Sequence, residues 1–171
     1  MNKLLRHRLV LPIGALVALI LVNTIARPSF LSVTVRDGEL YGSIIDILRN
    51  SAPLMLVALG MTMVIATRGI DLSVGALMAV SGAVSLTIIA GSPRPNDLGV
   101  IAVAIGAGIA VTLIFGVWNG FLVAVVGIQP IIATLVLMLA GRGIALLITQ
   151  GFITTINSTP YQFMAQGYVF G

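Results

Sequence analysis

The sequence is short of the residues from which most active sites are built. It has no cysteine, one histidine, five acidic residues and a single lysine, Lys3, in 171 residues. Without thiols there are no disulfides, thiolate metal sites or cysteine nucleophiles. No histidine or carboxylate cluster could hold a catalytic metal, so we predict no metal site. A phosphate-binding loop of the form G-x-x-x-x-G-K-[ST] is also excluded, because it needs a lysine within the chain. An enzyme is therefore a poor interpretation.

Charge is equally scarce. Charged residues make up 8% of the chain and hydrophobic residues 58%, and the mean hydropathy is +1.14. Soluble domains contain about 25% charged and about 45–50% apolar residues, so a soluble domain is excluded. The net charge of +4 comes from nine scattered Lys and Arg residues, which do not form the basic patch of a nucleic-acid-binding protein.

The gaps between charged residues predict the fold. Because a charge in the hydrocarbon core of a bilayer is costly, uncharged stretches mark membrane spans of about 20 residues each. We predict an all-α integral membrane protein, a polytopic bundle of about five transmembrane helices at about 9–26, 50–67, 72–92, 99–118 and 121–140. The uncharged stretch 98–141 is too long for one span. The candidate breaks are Trp118-Asn119-Gly120 and Gly127-Ile128-Gln129-Pro130. We expect the turn at the first, with Gln129 and Pro130 bending or interrupting the helix that follows.

The basic head predicts the orientation. Lys3, Arg6 and Arg8 directly precede the first span and favour a cytoplasmic N-terminus, although the later basic residues do not add to this bias. A secretory signal peptide is the alternative for this stretch, but the apolar run is long and lacks a small-residue cleavage site. An outer loop at 27–49 and a polar tail at 149–171 then lie outside.

Small residues recur at helical spacing within the spans. Residues separated by four positions share one helix face, and small residues there let helix backbones approach closely in lipid. The glycines that we expect to serve helix packing are Gly75, Gly108, Gly116 and Gly120. The alternative is that these faces line a pore and keep it open.

A helix break is predicted near Arg68–Asp71, where two charges and Gly69 separate two apolar stretches. Backbone groups freed at membrane depth are tolerated only where protein or water satisfies them. We expect Asp71 to cap the next helix by accepting backbone N–H bonds at the positive end of its dipole. The functional alternative is that Asp71 and Ser73 border a polar solute path, as the broken helices of transporters do.

Two amides are the remaining polar candidates within the spans. Asn119 and Gln129 could pair across helices, which is worth on the order of 1 kcal/mol, or could meet sugar hydroxyls in a channel. Together with Asp71 and Ser73 they form our set of candidate substrate-pathway residues.

Four blocks of sequence carry a family resemblance. They are Gly60–Ala76, Trp118–Val123, Gln129–Leu135 and Gly141–Gly143, all within about residues 40–150. The blocks resemble the permease subunits of bacterial ABC sugar importers of the ribose, arabinose, xylose and galactose type. The resemblance is strongest to permeases of galactofuranose importers, particularly at 42–48 and 140–143.

The resemblance implies a function and partners. It implies a bacterial inner-membrane permease that moves a monosaccharide by alternating access, together with a second permease subunit, two cytoplasmic ATPase subunits and a periplasmic sugar-binding protein. ATP and magnesium would bind in the ATPase, with no cofactor in this chain. The chain departs from the family by having Arg68 where a small residue is common. Such permeases are also about twice as long, so residues 1–171 correspond to an N-terminal half, and we expect the ATPase-coupling loop beyond Gly171.

Two alternatives belong to other classes of protein. A self-contained channel or secondary carrier would need a coupling charge deep in a span, for which Asp71 is the candidate. A non-transporting accessory subunit would need only the glycine-lined packing faces.

Overall fold

The computed structural model describes residues 9–36 and 39–166. The head residues Lys3, Arg6 and Arg8, on which the predicted orientation depends, lie outside the described residues, as does the end of the tail. The described chain forms six α-helices, a 3-10 turn at Pro28–Leu31 and a short hairpin of β1 (Thr34–Arg36) and β2 (Glu39–Tyr41). The helices are α1 (Val10–Ala26), α2 (Ser43–Ala66), α3 (Val74–Ala90), α4 (Leu98–Ala124), α5 (Pro130–Ile148) and α6 (Thr159–Gln166).

The predicted all-α membrane fold is confirmed. Three of the described helices, α2, α4 and α5, are long and apolar enough to cross a membrane. The apolar helices α1 and α3 are slightly shorter, at 17 residues each, close to the lower end of the usual range of about 17–25 residues. The number of membrane crossings stays a prediction.

The structure differs from the prediction at residues 27–49, which were predicted as an outer loop. This segment holds the 3-10 turn, the hairpin and the first turns of α2, which begins at Ser43 and keeps Pro53 in its interior. Asp46 in the first turn favours the helix start. The Ser51 hydroxyl, close before Pro53, donates to the carbonyl of Ile47 at 2.6 Å. The polar tail also differs, because it contains α6.

The turn expected at Trp118-Asn119-Gly120 is wrong: α4 continues through these residues to Ala124. A helix in lipid keeps its backbone hydrogen bonds unless turn chemistry replaces them, and that chemistry comes later. Gly127 adopts the left-handed conformation with φ of 80°, and the Ile128 N–H donates to the Leu122 carbonyl at 3.0 Å, which closes the helix end. Pro130 then occupies the first turn of α5, where its missing donor costs nothing.

The described residues fall into two compact units, one up to Met55 and one from Leu56 onward. In the first, α1 contacts the 3-10 turn and has no buried residue. In the second, α3 is the central helix and packs against both α4 and α5, which touch each other far less.

The core of the second unit consists of small and branched side chains. On α3 the buried stripe is Ala76, Val80 and Ala83, at the spacing of one helix face. Gly141 of α5 lies against Ala76, and Gly108 of α4 lies against Ser81 and Ser85. Thr134 of α5 contacts Ile70, just before α3, so positions rise together on α3 and α5. On α4, Ala104 contacts Ser85 and Asn119 contacts Ser73, so positions on α4 fall as those on α3 rise. α5 therefore runs parallel to α3, and α4 runs antiparallel to it.

At the other end of α3, the connection to α4 is held by the chain that precedes α6. The buried Ser158 hydroxyl donates to the Pro95 carbonyl at 2.7 Å, and the Thr159 N–H donates to the Asn96 side chain at 3.1 Å. This segment of the tail and the α3–α4 loop therefore lie on the same side of the unit.

A polar cluster at the start of α3

The break before α3 is an ordered turn. Arg68 adopts a left-handed conformation with φ of 60°, and the Gly69 N–H donates to the Val64 carbonyl at 2.9 Å. This pattern closes a helix C-terminus and usually places glycine at the left-handed position. The sequence prediction of a helix break is confirmed, and the non-glycine residue at its left-handed position adds local strain.

Asp71 holds the start of α3 through Ser73. One oxygen of its carboxylate accepts both the Ser73 N–H, at 2.7 Å, and the Ser73 hydroxyl, at 2.6 Å. The predicted capping differs in one detail, because the N-cap position itself belongs to Ser73 and makes no side-chain cap bond. Asp71 instead forms a turn that fixes this residue, as Asx turns do.

Asn119 reaches the same cluster from α4. Its side-chain nitrogen donates to the Ser73 hydroxyl oxygen at a long 3.5 Å, so a chain of hydrogen bonds runs from Asn119 through Ser73 to Asp71. Asn119 is only 8% exposed, and its Oδ1 has no hydrogen-bond donor among the described residues. A buried acceptor left unpaired costs about 1–3 kcal/mol, so the cluster is incomplete as it stands.

Thr134 joins the cluster from α5 and was missed by the sequence reasoning. Its hydroxyl donates to the Pro130 carbonyl of its own helix at 2.8 Å and lies 3.3 Å from the Ile70 carbonyl of the break. At 4% exposure it is nearly buried. The available signal was its place in the Gln129–Leu135 block, one turn after a proline that opens a helix.

Gln129 does not join the others. It precedes α5 as an exposed residue, and its side chain makes no cap bond. The structure therefore brings three of the four candidate pathway residues together, Asp71, Ser73 and Asn119, and places the fourth apart from them.

The candidate packing glycines fall into two groups, those with close neighbours on another helix and those without. A Cβ on Gly108 would lie 2.6 Å from Ser85 Oγ and 2.7 Å from Ser81 Oγ, so a larger residue would have to displace both hydroxyls at this contact between α3 and α4. A Cβ on Gly75, Gly116 or Gly120 would meet no described atom within 4 Å, so a packing role for these three stays a prediction. A Cβ on Gly141, which sequence spacing did not single out, would lie 3.1 Å from the Cβ of Ala76.

An apolar groove of about 270 Å³ lies beside the cluster, between α4 and α5. Asn119 is the one side chain with hydrogen-bonding amide atoms among its lining residues. Aromatic walls come from Phe115 and Trp118, and branched residues of α5 form the opposite side. The groove thus joins an incompletely bonded amide to an apolar surface.

Comparison with known proteins decides the family. Residues 43–168 match the model of a family described as branched-chain amino acid transport system / permease component. The chain belongs to this family. It is therefore a multi-pass membrane permease component, and the permease resemblance noted in the sequence is confirmed.

Three of the similar proteins are named as permeases for sugars. The galactofuranose transporter permease protein YtfT of Escherichia coli is 49% identical over 154 residues, covering 90% of this chain and 43% of that protein. The fructose import permease protein FruF of Bifidobacterium longum is 38% identical, covering 99% of this chain and 48% of that protein. The ribose import permease protein RbsC of Escherichia coli is 37% identical, covering 80% of this chain and 38% of that protein.

The chain spans about half the length of the curated relatives that it matches. No solved structure matches it.

Proposed function

We propose that this chain forms part of the transmembrane permease of an ATP-binding cassette importer that moves a monosaccharide across the bacterial inner membrane. The similarity to three permeases whose names specify galactofuranose, fructose and ribose carries the proposal. The family description mentions branched-chain amino acids, but these three relatives, each matched over 80% or more of this chain, are named for sugars. Galactofuranose is the substrate of the relative with 49% identity and is our first choice.

The polar cluster is the part of this chain that we assign to the sugar path. Sugars present hydroxyls that both donate and accept hydrogen bonds, and Asp71, Ser73 and Asn119 offer matching groups at one helix break. The unpaired Asn119 Oδ1 can accept from a hydroxyl once the helices move apart. Gln129, exposed before α5, borders the path separately.

The proposed mechanism is alternating access between two permease subunits. α3, α4 and α5 share one core, so they are expected to move as a unit, with the segment between α2 and α3 serving as the hinge. A periplasmic sugar-binding protein delivers the substrate, and ATP with magnesium in two cytoplasmic ATPase subunits drives the change. The N-terminus lies in the cytoplasm in this scheme.

A self-contained carrier is less well supported. Its coupling charge would have to be Asp71, and that carboxylate is engaged with two groups of Ser73 at the end of a loop. Nothing in this arrangement resembles a proton or ion relay deep in a span.

Purification of the complex through a tag on this chain tests the proposal. The expected result is co-purification of an ATPase subunit in mild detergent, and ATP-dependent uptake of labelled sugar by vesicles that contain the complex and its binding protein. Uptake of sugar without ATP, or a preparation with no ATPase subunit, would refute the importer assignment.

A further inference from the structure

Arg142 lies within a membrane helix. The sequence prediction ended the fifth span at residue 140 and left Arg142 outside it, but α5 runs from Pro130 to Ile148. At a rise of about 1.5 Å per residue this helix is about 28 Å long, close to the roughly 30 Å of the hydrocarbon core. Arg142 is then only about 4.5 Å along the axis from the middle residue, Leu139.

The packing of the neighbouring helices gives a second measure of this depth. Gly141 lies against Ala76 of α3, and Gly108 of α4 lies against Ser81, further along α3. Because α4 is antiparallel to α3, with Ser85 opposite Ala104 and Ser73 opposite Asn119, the level of Gly141 falls near Phe115 on α4. That position is close to the centre of α4, which runs from Leu98 to Ala124. Two helices therefore place Arg142 near mid-membrane.

The side chain of Arg142 is on the outer face of α5. The buried face of this helix contains Ala133, Leu137 and Gly141, whereas Arg142 is exposed. Its neighbours on the outer face at helical spacing are Leu135, Leu139 and Leu146, which are 41%, 60% and 61% exposed. Within the second unit the carboxylates of Asp71 and Asp97 are bonded to Ser73 and Gly99, and neither contacts the guanidinium.

This arginine is poorly placed to reach either membrane surface along its own helix. The nearer end of α5, Ile148, is about 9 Å away, but side chains on a helix point toward its N-terminus. The N-terminal end at Pro130 is about 18 Å away. A charge in this position requires a partner, because uncovered charges at the bilayer centre are costly and almost always face protein or water.

We propose that Arg142 pairs with the carboxylate of an Asp or Glu on another membrane helix, which covers the outer face of α5. The three leucines around Arg142 favour an apolar helix over a water-filled path. A carboxylate is the acceptor that matches a planar guanidinium with two parallel hydrogen bonds. The pair would fix the register and rotation of the covering helix against α5.

The covering helix has a sequence other than that of residues 1–171. Asp71 and Asp97 precede α3 and α4, Asp46 lies in the first turn of α2, and Glu39 lies in β2. The fifth acidic residue, Asp37, is outside the described residues and two positions before Glu39 in sequence. A second copy of this sequence would thus present its described carboxylates at helix ends or in the hairpin and not at the depth of Arg142. The relatives contain about as many further residues as the part that matches, which is a sufficient source for such a helix. The proposal does not depend on which solute is transported.

Charge reversal in the complete transporter tests the pairing. Arg142→Glu in native membranes is expected to lower the amount of assembled complex about tenfold or more, and Arg142→Lys much less. Arg94→Glu, in the loop between α3 and α4, is the matched control and should leave assembly unchanged. Assembly of Arg142→Glu at the level of the unmodified complex would overturn the proposal.

Suppressor selection identifies the partner even if Arg142→Glu fails to fold. Second substitutions that restore uptake should replace one Asp or Glu, in a membrane helix outside residues 1–171, with a neutral or basic residue. Restoration only by changes at non-acidic positions, or by changes at any of the five acidic residues within 1–171, would overturn the proposed partner.

Thiol labelling tests whether a helix or water covers the outer face of α5 at Arg142. The chain has no cysteine, so Arg142→Cys provides a single thiol in it, and the matched control is Thr149→Cys at the end of α5. In the assembled complex a membrane-impermeant methanethiosulfonate reagent should modify the cysteine at 149 and leave that at 142 unmodified. Rapid modification at 142 would show an aqueous path and overturn the proposal of a covering helix.

Discussion

α3 meets α4 through a polar contact near each end, and the two contacts differ in completeness. Near the C-terminal end, the buried Ser85 hydroxyl donates to the Ala104 carbonyl at 2.9 Å, beside Gly108. At the N-terminal end, Asn119 reaches Ser73 at 3.5 Å and leaves its own oxygen unpaired among the described residues. The same two helices thus form one complete contact and one incomplete contact.

The complete contact holds α3 and α4 together, whereas the incomplete contact is the one that we expect to change during transport. A hydroxyl bonded to a backbone carbonyl of the neighbouring helix needs nothing further, and the close approach at Gly108 prevents sliding there. An amide with a long bond and a free acceptor gains when another donor arrives. We therefore expect changes near Ser85 to affect stability and changes near Ser73 to affect transport.

The largest effect is expected from breaking the complete contact sterically. In Gly108→Val the new side chain overlaps Ser85 and Ser81, so the helices must separate, at a cost of about 3 kcal/mol. Gly116→Val is the matched control, because a Cβ there meets no described atom within 4 Å. Thermal unfolding of the detergent-purified complex measures the difference. Equal midpoints for the two variants would contradict the close approach at Gly108.

The second-largest effect is expected from removing the carboxylate of Asp71, which supports the incomplete contact between Asn119 and Ser73. Asp71→Ala removes both bonds to Ser73 and should lower stability by about 2 kcal/mol, since each bond involves a charged group. Asp71→Asn keeps an acceptor oxygen and should lose less. Assembly and ATP-dependent uptake measure the effect. Wild-type behaviour of both variants would remove Asp71 from the site.

A matched pair of serine substitutions sharpens the comparison. Ser85→Ala should cost about 1 kcal/mol of stability and leave the rate of uptake per assembled complex unchanged. Ser73→Ala removes the link between Asn119 and Asp71, so it should reduce uptake per complex with a similar effect on stability. The uptake rate normalised to the amount of complex distinguishes them. Identical normalised rates would show that the contact near Ser73 is also purely structural.

How far the sequence predicted these features depended on the kind of signal. Charge spacing located the apolar stretches, because the cost of a charge in lipid acts on every span. It did not locate the helix ends, since α2 includes Asp46 and Arg49 and α5 includes Arg142. Asp71, Ser73 and Asn119 were recognisable as polar residues in apolar surroundings. Thr134 was not, because threonine is ordinary in a helix and only packing brings it to Ile70. The continuous course of α4 past Gly120 was missed because glycine spacing alone does not distinguish a turn from a helix interior, whereas the left-handed Gly127 does.

The smallest effect concerns the turn that carries the incomplete contact. Arg68 holds a left-handed conformation that glycine adopts without strain, so Arg68→Gly should stabilise the complex by about 0.5–1 kcal/mol. Gln150→Gly is the matched control, because Gln150 has φ of 53° at the end of α5, away from the cluster. Both variants should raise the thermal midpoint slightly. If the turn at Arg68 is the hinge, only Arg68→Gly should also change the rate of uptake, and an equal rate in both would place the hinge elsewhere.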